Sequence, residues 1–110
     1  MKILTKKKEE KILKEECYNL DYTLIKWLNT HLKTYLEDGS RVVAFEKNKF
    51  VYKKRKTNQK ELIERLIGIT NILIDSNTYY DWDKEHSELN YDLVQEMYDI
   101  LKLIHFSLWW

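Results

Sequence analysis

The sequence contains no proline, only two glycines and a single alanine in 110 residues. Glycine and proline form most tight turns, so an all-β domain with a turn every few residues is not expected. Gly39 and Gly68 stand far apart, and neither lies in a glycine-rich loop, which excludes a P-loop or dinucleotide-type phosphate cradle. The composition therefore favours helices with few connections.

Cysteine is nearly absent as well. A single cysteine, Cys17, excludes an intrachain disulfide and fits a reducing, cytoplasmic location. It lies on an apolar helical stripe, so we expect a buried, inert thiol. The charged N-terminal stretch lacks the apolar core of a signal peptide, and no apolar run is long enough to span a bilayer. We therefore expect no membrane partner.

The residues that are abundant indicate the origin of the gene. Lysine, asparagine, isoleucine and tyrosine have AT-rich codons, whereas proline, glycine and alanine have GC-rich ones. The chain has 16 lysines against three arginines. This bias predicts an AT-rich genome, such as that of a low-GC bacterium or of a phage or plasmid living in one.

Hydrophobic periodicity predicts one domain over residues 1–110, mainly α in an α+β fold, with three to four helices and one β-hairpin. The first helical segment is one helix or two, with a break near Asn19–Tyr22, and Gly39 is expected in a left-handed conformation beyond its last turn. Its predicted apolar stripe consists of Leu13, Cys17, Leu20, Leu24, Leu28, Leu32 and Tyr35.

The hairpin is predicted over about residues 41–54, between the first helical segment and the last two helices. A turn at Lys47-Asn48 would pair Phe45 with Phe50 on its apolar face. A capping sequence, Asn58-Gln-Lys-Glu61, then starts a central, most buried helix with the stripe Leu62, Leu66, Ile69 and Leu73.

A loop is predicted from Asp75 to Glu88, followed by a last helix capped by Ser87 or Asn90. The apolar stripe of that helix consists of Leu89, Leu93, Met97, Ile100, Ile104 and Leu108. Gly68 lies inside the most apolar helix, where we expect it to permit close helix packing.

Charge is divided unevenly between the two parts of the chain. Residues 1–60 carry 16 basic and eight acidic residues, a sum of +8, and residues 61–110 carry three basic and ten acidic residues, a sum of −7. The basic clusters predict one alternative function, a small DNA- or RNA-binding regulator, although a solvated lysine-rich surface explains them too. The residues concerned are Lys6, Lys7, Lys8, Lys47, Lys49, Lys53, Lys54, Arg55 and Lys56.

The more unusual feature is an acidic aromatic segment over residues 77–86. Tyrosine and tryptophan are favoured interface anchors, and neighbouring carboxylates steer a surface towards a basic partner. The same aromatics could instead close the core. The predicted partner-binding residues are Tyr79, Tyr80, Asp81, Trp82, Asp83 and Glu85, together with the terminal Trp109 and Trp110.

Catalytic and metal-binding patterns are missing from the sequence. Asp81-x-Asp83-x-Glu85 has the spacing of a calcium loop, but His86 stands where that loop needs glycine. The three histidines do not pair at zinc spacing, and no nucleophile, base and oxyanion donor occur together. We therefore expect no enzyme activity, no metal and no cofactor.

The leading hypothesis is a non-enzymatic interaction protein that binds a host protein with a basic surface. In size, AT-rich composition and lack of catalytic residues, the chain resembles small accessory proteins of phages and mobile elements, including inhibitors of host defence such as anti-CRISPR proteins. That resemblance implies inhibition or redirection of a nucleic-acid-handling complex. A structural homo-oligomer, such as a homodimer, is a further alternative.

Overall fold

A computed structural model of the chain describes residue 17, residues 19–75 and residues 84–109. Three helices occur in these residues: α1 (Leu20–Gly39), α2 (Gln59–Ile74) and α3 (Lys84–Ile104). Two short strands, β1 (Lys49–Tyr52) and β2 (Arg55–Asn58), form an antiparallel hairpin between α1 and α2. The predicted mainly helical α+β architecture is confirmed.

The core is built around α2, which packs against both α1 and α3. Its predicted stripe is confirmed, since every member is buried, and Ile63 widens it. The helix starts as predicted, because the Asn58 side chain accepts a hydrogen bond of 2.9 Å from the backbone N–H of Glu61. The other buried apolar residues are Ile25, Leu28 and Leu32 of α1, Phe45, and Leu93, Met97, Ile100 and Ile104 of α3.

Helix α1 faces the core with only the later part of its predicted stripe, since Leu28 and Leu32 are buried and Tyr35 packs against the core. Leu20 and Leu24 are exposed, whereas Ile25 and Asn29 are buried. In a helix of 3.6 residues per turn, each step of four residues moves a side chain about 40° further around the helix axis. Leucines at several successive steps of four therefore cannot all face the core. Cys17 is exposed and not buried as predicted. Asn19 has a left-handed backbone (φ 49°), which places a break directly before α1.

A buried polar contact fixes α1 against α2. The Asn29 side chain donates hydrogen bonds to the Thr70 hydroxyl (2.8 Å) and to the Asn71 side-chain oxygen (2.9 Å). Nearer the start of α1, the Tyr22 hydroxyl donates a hydrogen bond of 2.7 Å to the backbone carbonyl of Ile74, the last residue of α2. Because the start of α1 thus meets the end of α2, the two helices are antiparallel.

The hairpin lies where predicted in the element order, but its strands are shifted. Residues 41–44 form a turn and an irregular connection, and Phe45–Lys47 form a 3₁₀ turn. Phe45 is buried in the core and does not pair with Phe50, because Phe50 pairs with Thr57 and Tyr52 with Arg55. The reversal falls on Lys53-Lys54 instead of Lys47-Asn48.

Two turn and cap predictions also need correction. Gly39 remains helical, neither glycine has a positive φ, and Ser40 caps α1 in a right-handed conformation. Helix α3 already begins at Lys84, so Ser87 and Asn90 lie inside it and the predicted loop is too long at its C-terminal end. In α3, Leu89 is exposed, whereas the four stripe residues from Leu93 to Ile104 are buried as predicted.

Replacing Gly68 should stabilise the protein. A Cβ atom added at Gly68 would have no atom within 4 Å, so the predicted close packing is wrong. Gly68→Ala should raise the free energy of unfolding by about 0.5–1 kcal/mol, because alanine loses less backbone entropy in a helix. Chemical denaturation followed by circular dichroism measures the change. A lower free energy of unfolding would contradict this prediction.

Replacing Gln59 should destabilise the protein. Its side chain is fully buried, accepts a hydrogen bond from the Asn48 amide and donates one of 2.9 Å to the Ser107 carbonyl. Gln59→Met keeps the volume but leaves these groups without partners, at a cost of about 2 kcal/mol in the same measurement. The matched change at the exposed Gln95, Gln95→Met, should stay within about 0.5 kcal/mol. Equal losses of unfolding free energy in Gln59→Met and Gln95→Met would contradict the role of Gln59.

Candidate interaction surfaces

The first candidate surface is a basic hairpin, defined by Lys47, Lys49, Lys53, Lys54, Arg55 and Lys56. All six side chains are exposed, and residues 47–56 contain no acid. The strand register places Val51 opposite Lys56, with Lys49 on the same outer face. Phe50 and Tyr52 lie on the other face and pack against the core. The hairpin therefore presents two lysines on its outer face and two more at its tip.

The tip has an unusual backbone. Lys53 and Lys54 have φ values of 51° and 64°, the pattern of a two-residue type I′ turn. Asparagine and glycine are favoured in such turns, whereas a lysine there costs about 1 kcal/mol. The flanking strands and the packing of the hairpin maintain this conformation. Sequence reasoning placed these lysines in the basic cluster but missed the turn because it relied on asparagine as the signal.

The hairpin tip is held against the helices by Glu96 of α3. The Glu96 carboxylate accepts two hydrogen bonds from the Arg65 guanidinium of α2, at 2.9 and 2.8 Å. The Lys53 ammonium lies 3.8 Å from the same carboxylate. Because the Glu96 side chain is only 12% exposed, it is better shielded from solvent than either cation. One carboxylate thus joins the hairpin, α2 and α3.

The contacts around Glu96, where the hairpin meets α2 and α3, shift the pKa values of two residues. The hydrogen bonds from Arg65 lower the pKa of Glu96 below its ordinary value. Burial, followed by the nearby Glu96 carboxylate, raises the pKa of Tyr52 to about 12. The Tyr52 hydroxyl is buried and makes no hydrogen bond of regular geometry with the described residues. At neutral pH the junction therefore holds a charged carboxylate and a neutral phenol.

The second candidate surface is an acidic aromatic face on α3, formed by Glu88, Tyr91, Asp92, Gln95, Tyr98 and Asp99. These residues recur at helical steps of three and four, opposite the buried stripe, and all are exposed. Tyr91 is 72% and Tyr98 is 50% exposed. The pattern was visible in the sequence as the complement of the α3 stripe, but sequence reasoning missed it because only the core-facing positions were considered.

The predicted partner-binding residues are only partly described. Tyr79, Tyr80, Asp81, Trp82, Asp83 and Trp110 lie outside the described residues, and so do the N-terminal lysines. Glu85 belongs to the first turn of α3. Trp109 is 69% exposed, while its backbone carbonyl accepts a hydrogen bond of 2.8 Å from the Tyr35 hydroxyl. Three residues earlier in the chain, Phe106 is 93% exposed.

Helix α1 also presents apolar side chains to solvent. Leu20, Leu24 and Trp27 are exposed at steps of four and three residues. His31 stacks on Trp27 with ring centroids 3.9 Å apart, and its Nδ1 donates a hydrogen bond of 2.7 Å to the Trp27 carbonyl. Exposed apolar groups at helical spacing are typical of contact surfaces.

Clusters of metal ligands and membrane-spanning helices are both absent from the described part of the chain. There, no three histidine, cysteine, aspartate or glutamate side chains come together as potential metal ligands. None of its helices is both long and apolar enough to cross a membrane. The absence of enzyme activity stays a prediction.

Acid should weaken the junction at Glu96. Since the folded-state pKa of Glu96 is lowered, its contribution to stability is present above the ordinary glutamate pKa and is lost as pH falls through the folded-state value. Glu96→Gln should reduce the free energy of unfolding at pH 7 by about 1 kcal/mol, discounted for the exposure of Arg65. Denaturation curves measured at decreasing pH should show a shrinking difference in the free energy of unfolding between wild type and Glu96→Gln. A constant difference would contradict the prediction.

Comparison with known proteins adds no indication of function to that given by the exposed surfaces. No protein-family model, curated protein or solved structure matches the chain.

Proposed function

We propose that this protein is a non-enzymatic interaction protein that binds a basic surface of a host protein. The observation that supports the proposal best is the acidic aromatic face of α3, where Tyr91 and Tyr98 are exposed beside carboxylates. The acidic aromatic segment over residues 77–86 precedes and enters the same helix in the sequence. Together they form the proposed contact region.

Packing does not account for the tyrosines of this face. The buried side of α3 is already supplied by Leu93, Met97, Ile100 and Ile104. Tyr91 and Tyr98 lie on the opposite side, where a polar residue would suit a solvated helix better. Large aromatic side chains with a polar tip provide much contact area at a low entropic cost, which makes them effective anchors.

The charge of the face indicates the chemistry of the partner. Glu88, Asp92 and Asp99 contribute three negative charges, and Lys102 at the C-terminal end contributes one positive charge. Such a surface attracts a positively charged partner over several ångströms and discriminates against an acidic one. Surfaces that bind nucleic acid carry this positive charge, so a nucleic-acid-handling protein fits best.

Binding there would exclude nucleic acid from the partner. An acidic face that covers a phosphate-binding surface competes with the phosphates for the same lysines and arginines. The protein would therefore inhibit or redirect its partner without any catalytic group. This mode of action suits a small accessory protein of a phage or mobile element that acts on a host defence complex in the cytoplasm.

The test is capture of a partner from nuclease-treated host lysate, followed by displacement with duplex DNA. We expect the wild-type protein to retain a basic host protein that the DNA releases. Asp92→Lys combined with Asp99→Lys should abolish capture, because it reverses the charge of the face. A second variant, Tyr80→Ala with Trp82→Ala and Asp83→Lys, tests the segment that precedes α3. This variant should also fail to capture the partner.

A matched control carries two charge reversals elsewhere, Glu37→Lys on α1 and Glu64→Lys on α2, both at exposed positions. It should capture the partner as the wild type does. Retention of the partner by the α3 variant, or failure of DNA to release it, would overturn the proposal. Light scattering that shows a stable multimer without any host protein would instead support a structural homo-oligomer.

A further inference from the structure

We propose that the basic hairpin is a second binding site, which contacts the phosphate backbone of nucleic acid independently of sequence. This inference does not depend on the protein-binding face of α3. It rests on the position of the six cations, on the conformation of the tip and on the rigid attachment of the hairpin.

The cations are placed to reach phosphates on more than one side. Lys49 and Lys56 lie on the outer face of the hairpin, Lys53 and Lys54 at its tip, and Arg55 on the opposite face beside Tyr52. A two-stranded ribbon is narrow enough to enter a major groove, so lysines on its face and tip would meet the two flanking backbones. No acid within residues 47–56 offsets them.

The strained tip is the second observation. Neutral residues such as asparagine and glycine would form this turn with less strain, yet the chain has Lys53-Lys54 there. Asparagine is as AT-rich in its codons as lysine, so codon bias does not explain the choice. Strained positions that local structure does not favour are concentrated at functional sites.

The hairpin is also fixed in direction before any ligand binds. The backbone N–H of Gln59 donates to the Asn48 carbonyl at 2.8 Å, and the Thr57 hydroxyl donates to the Glu61 carboxylate at 2.6 Å. Lys53 lies 3.8 Å from Glu96 but is itself 68% exposed, so a phosphate can compete with Glu96 for this ammonium. A preorganised hairpin loses little conformational entropy on binding.

A membrane surface fits the hairpin less well than nucleic acid. Val51 is the only large apolar side chain on the outer face, because Phe50 and Tyr52 pack against the core. The tip consists of two lysines. Insertion into a bilayer requires apolar or aromatic side chains at such positions, and the hairpin presents none at its tip.

The test uses Lys53→Asn with Lys54→Gly, which converts the tip into a favoured type I′ turn. The favoured turn should at least offset the loss of the exposed Lys53–Glu96 pair, so the variant should unfold at a temperature no lower than that of wild type. Thermal unfolding followed by circular dichroism checks this, so that loss of binding cannot be attributed to loss of folding. Binding of a labelled 20-base-pair DNA duplex and of an RNA duplex of equal length is measured by fluorescence anisotropy from low to moderate salt. We expect the variant to bind about ten-fold more weakly and its salt slope to fall by about two.

The matched control removes two lysines elsewhere, with Lys33→Gln on α1 and Lys102→Gln on α3, and should keep the wild-type salt slope. The site is supported if either duplex binds more weakly to the tip variant and equally well to the control. Comparison of the two duplexes shows whether DNA or RNA is preferred. Three results would overturn the inference: no binding at low salt, equal weakening in the control, or binding to anionic phosphatidylserine vesicles alone.

Discussion

The fold depends on a fully buried amide at the start of α2. The Gln59 side chain bonds to Asn48 on one side and to the Ser107 carbonyl on the other, so it joins the entry of the hairpin to the C-terminal segment. A buried amide is costly unless its hydrogen bonds are made, and both segments must therefore be in place together. Nearby, the Tyr35 hydroxyl holds the Trp109 carbonyl, which strengthens the same attachment. The direction of the hairpin follows from this arrangement.

The acids of α3 have two different roles. Glu96 points inward, accepts both hydrogen bonds from Arg65 and lies near Lys53, so its charge is used within the fold. Asp92 and Asp99, four residues before and three residues after Glu96, lie beside it on the helix and are exposed. Glu96 thus attaches the basic hairpin to the helices, while Asp92 and Asp99 next to it remain exposed to solvent. The uneven charge of the sequence becomes two surfaces of opposite sign that adjoin at Glu96.

Sequence patterns were sufficient where one physical requirement dominated. The α2 stripe and the Asn58 cap were predictable because periodicity and capping chemistry agree there. The leucines of α1 predicted only part of its buried face: Leu28 and Leu32 are buried, whereas Leu20 and Leu24 are exposed. The buried Asn29 extends that face through hydrogen bonds to α2, which periodicity does not indicate. The strand register was equally ambiguous: Phe45 could pair across a hairpin or fill the core, and only the space between the helices decides. For the candidate surfaces, the sequence gives the residue types and the helical spacing of the α3 face. The structure adds that Tyr91 is exposed, because no other described element packs over that face.

The scarcity of glycine has a consequence beyond favouring helices. Two-residue type I′ hairpin turns still need residues with positive φ. In the described part of the chain, positive φ occurs at Asn19, Lys53 and Lys54, while neither glycine supplies it. Where a lysine-rich chain closes a two-residue turn with its most abundant residue, the turn carries charge as well as strain. The Lys53 ammonium reaches back to within 3.8 Å of the Glu96 carboxylate and 5.4 Å of the centre of the Tyr52 ring, while its side chain remains 68% exposed. Because asparagine would close the same turn with less strain, the two lysines place positive charge at the hairpin tip that the composition alone does not require.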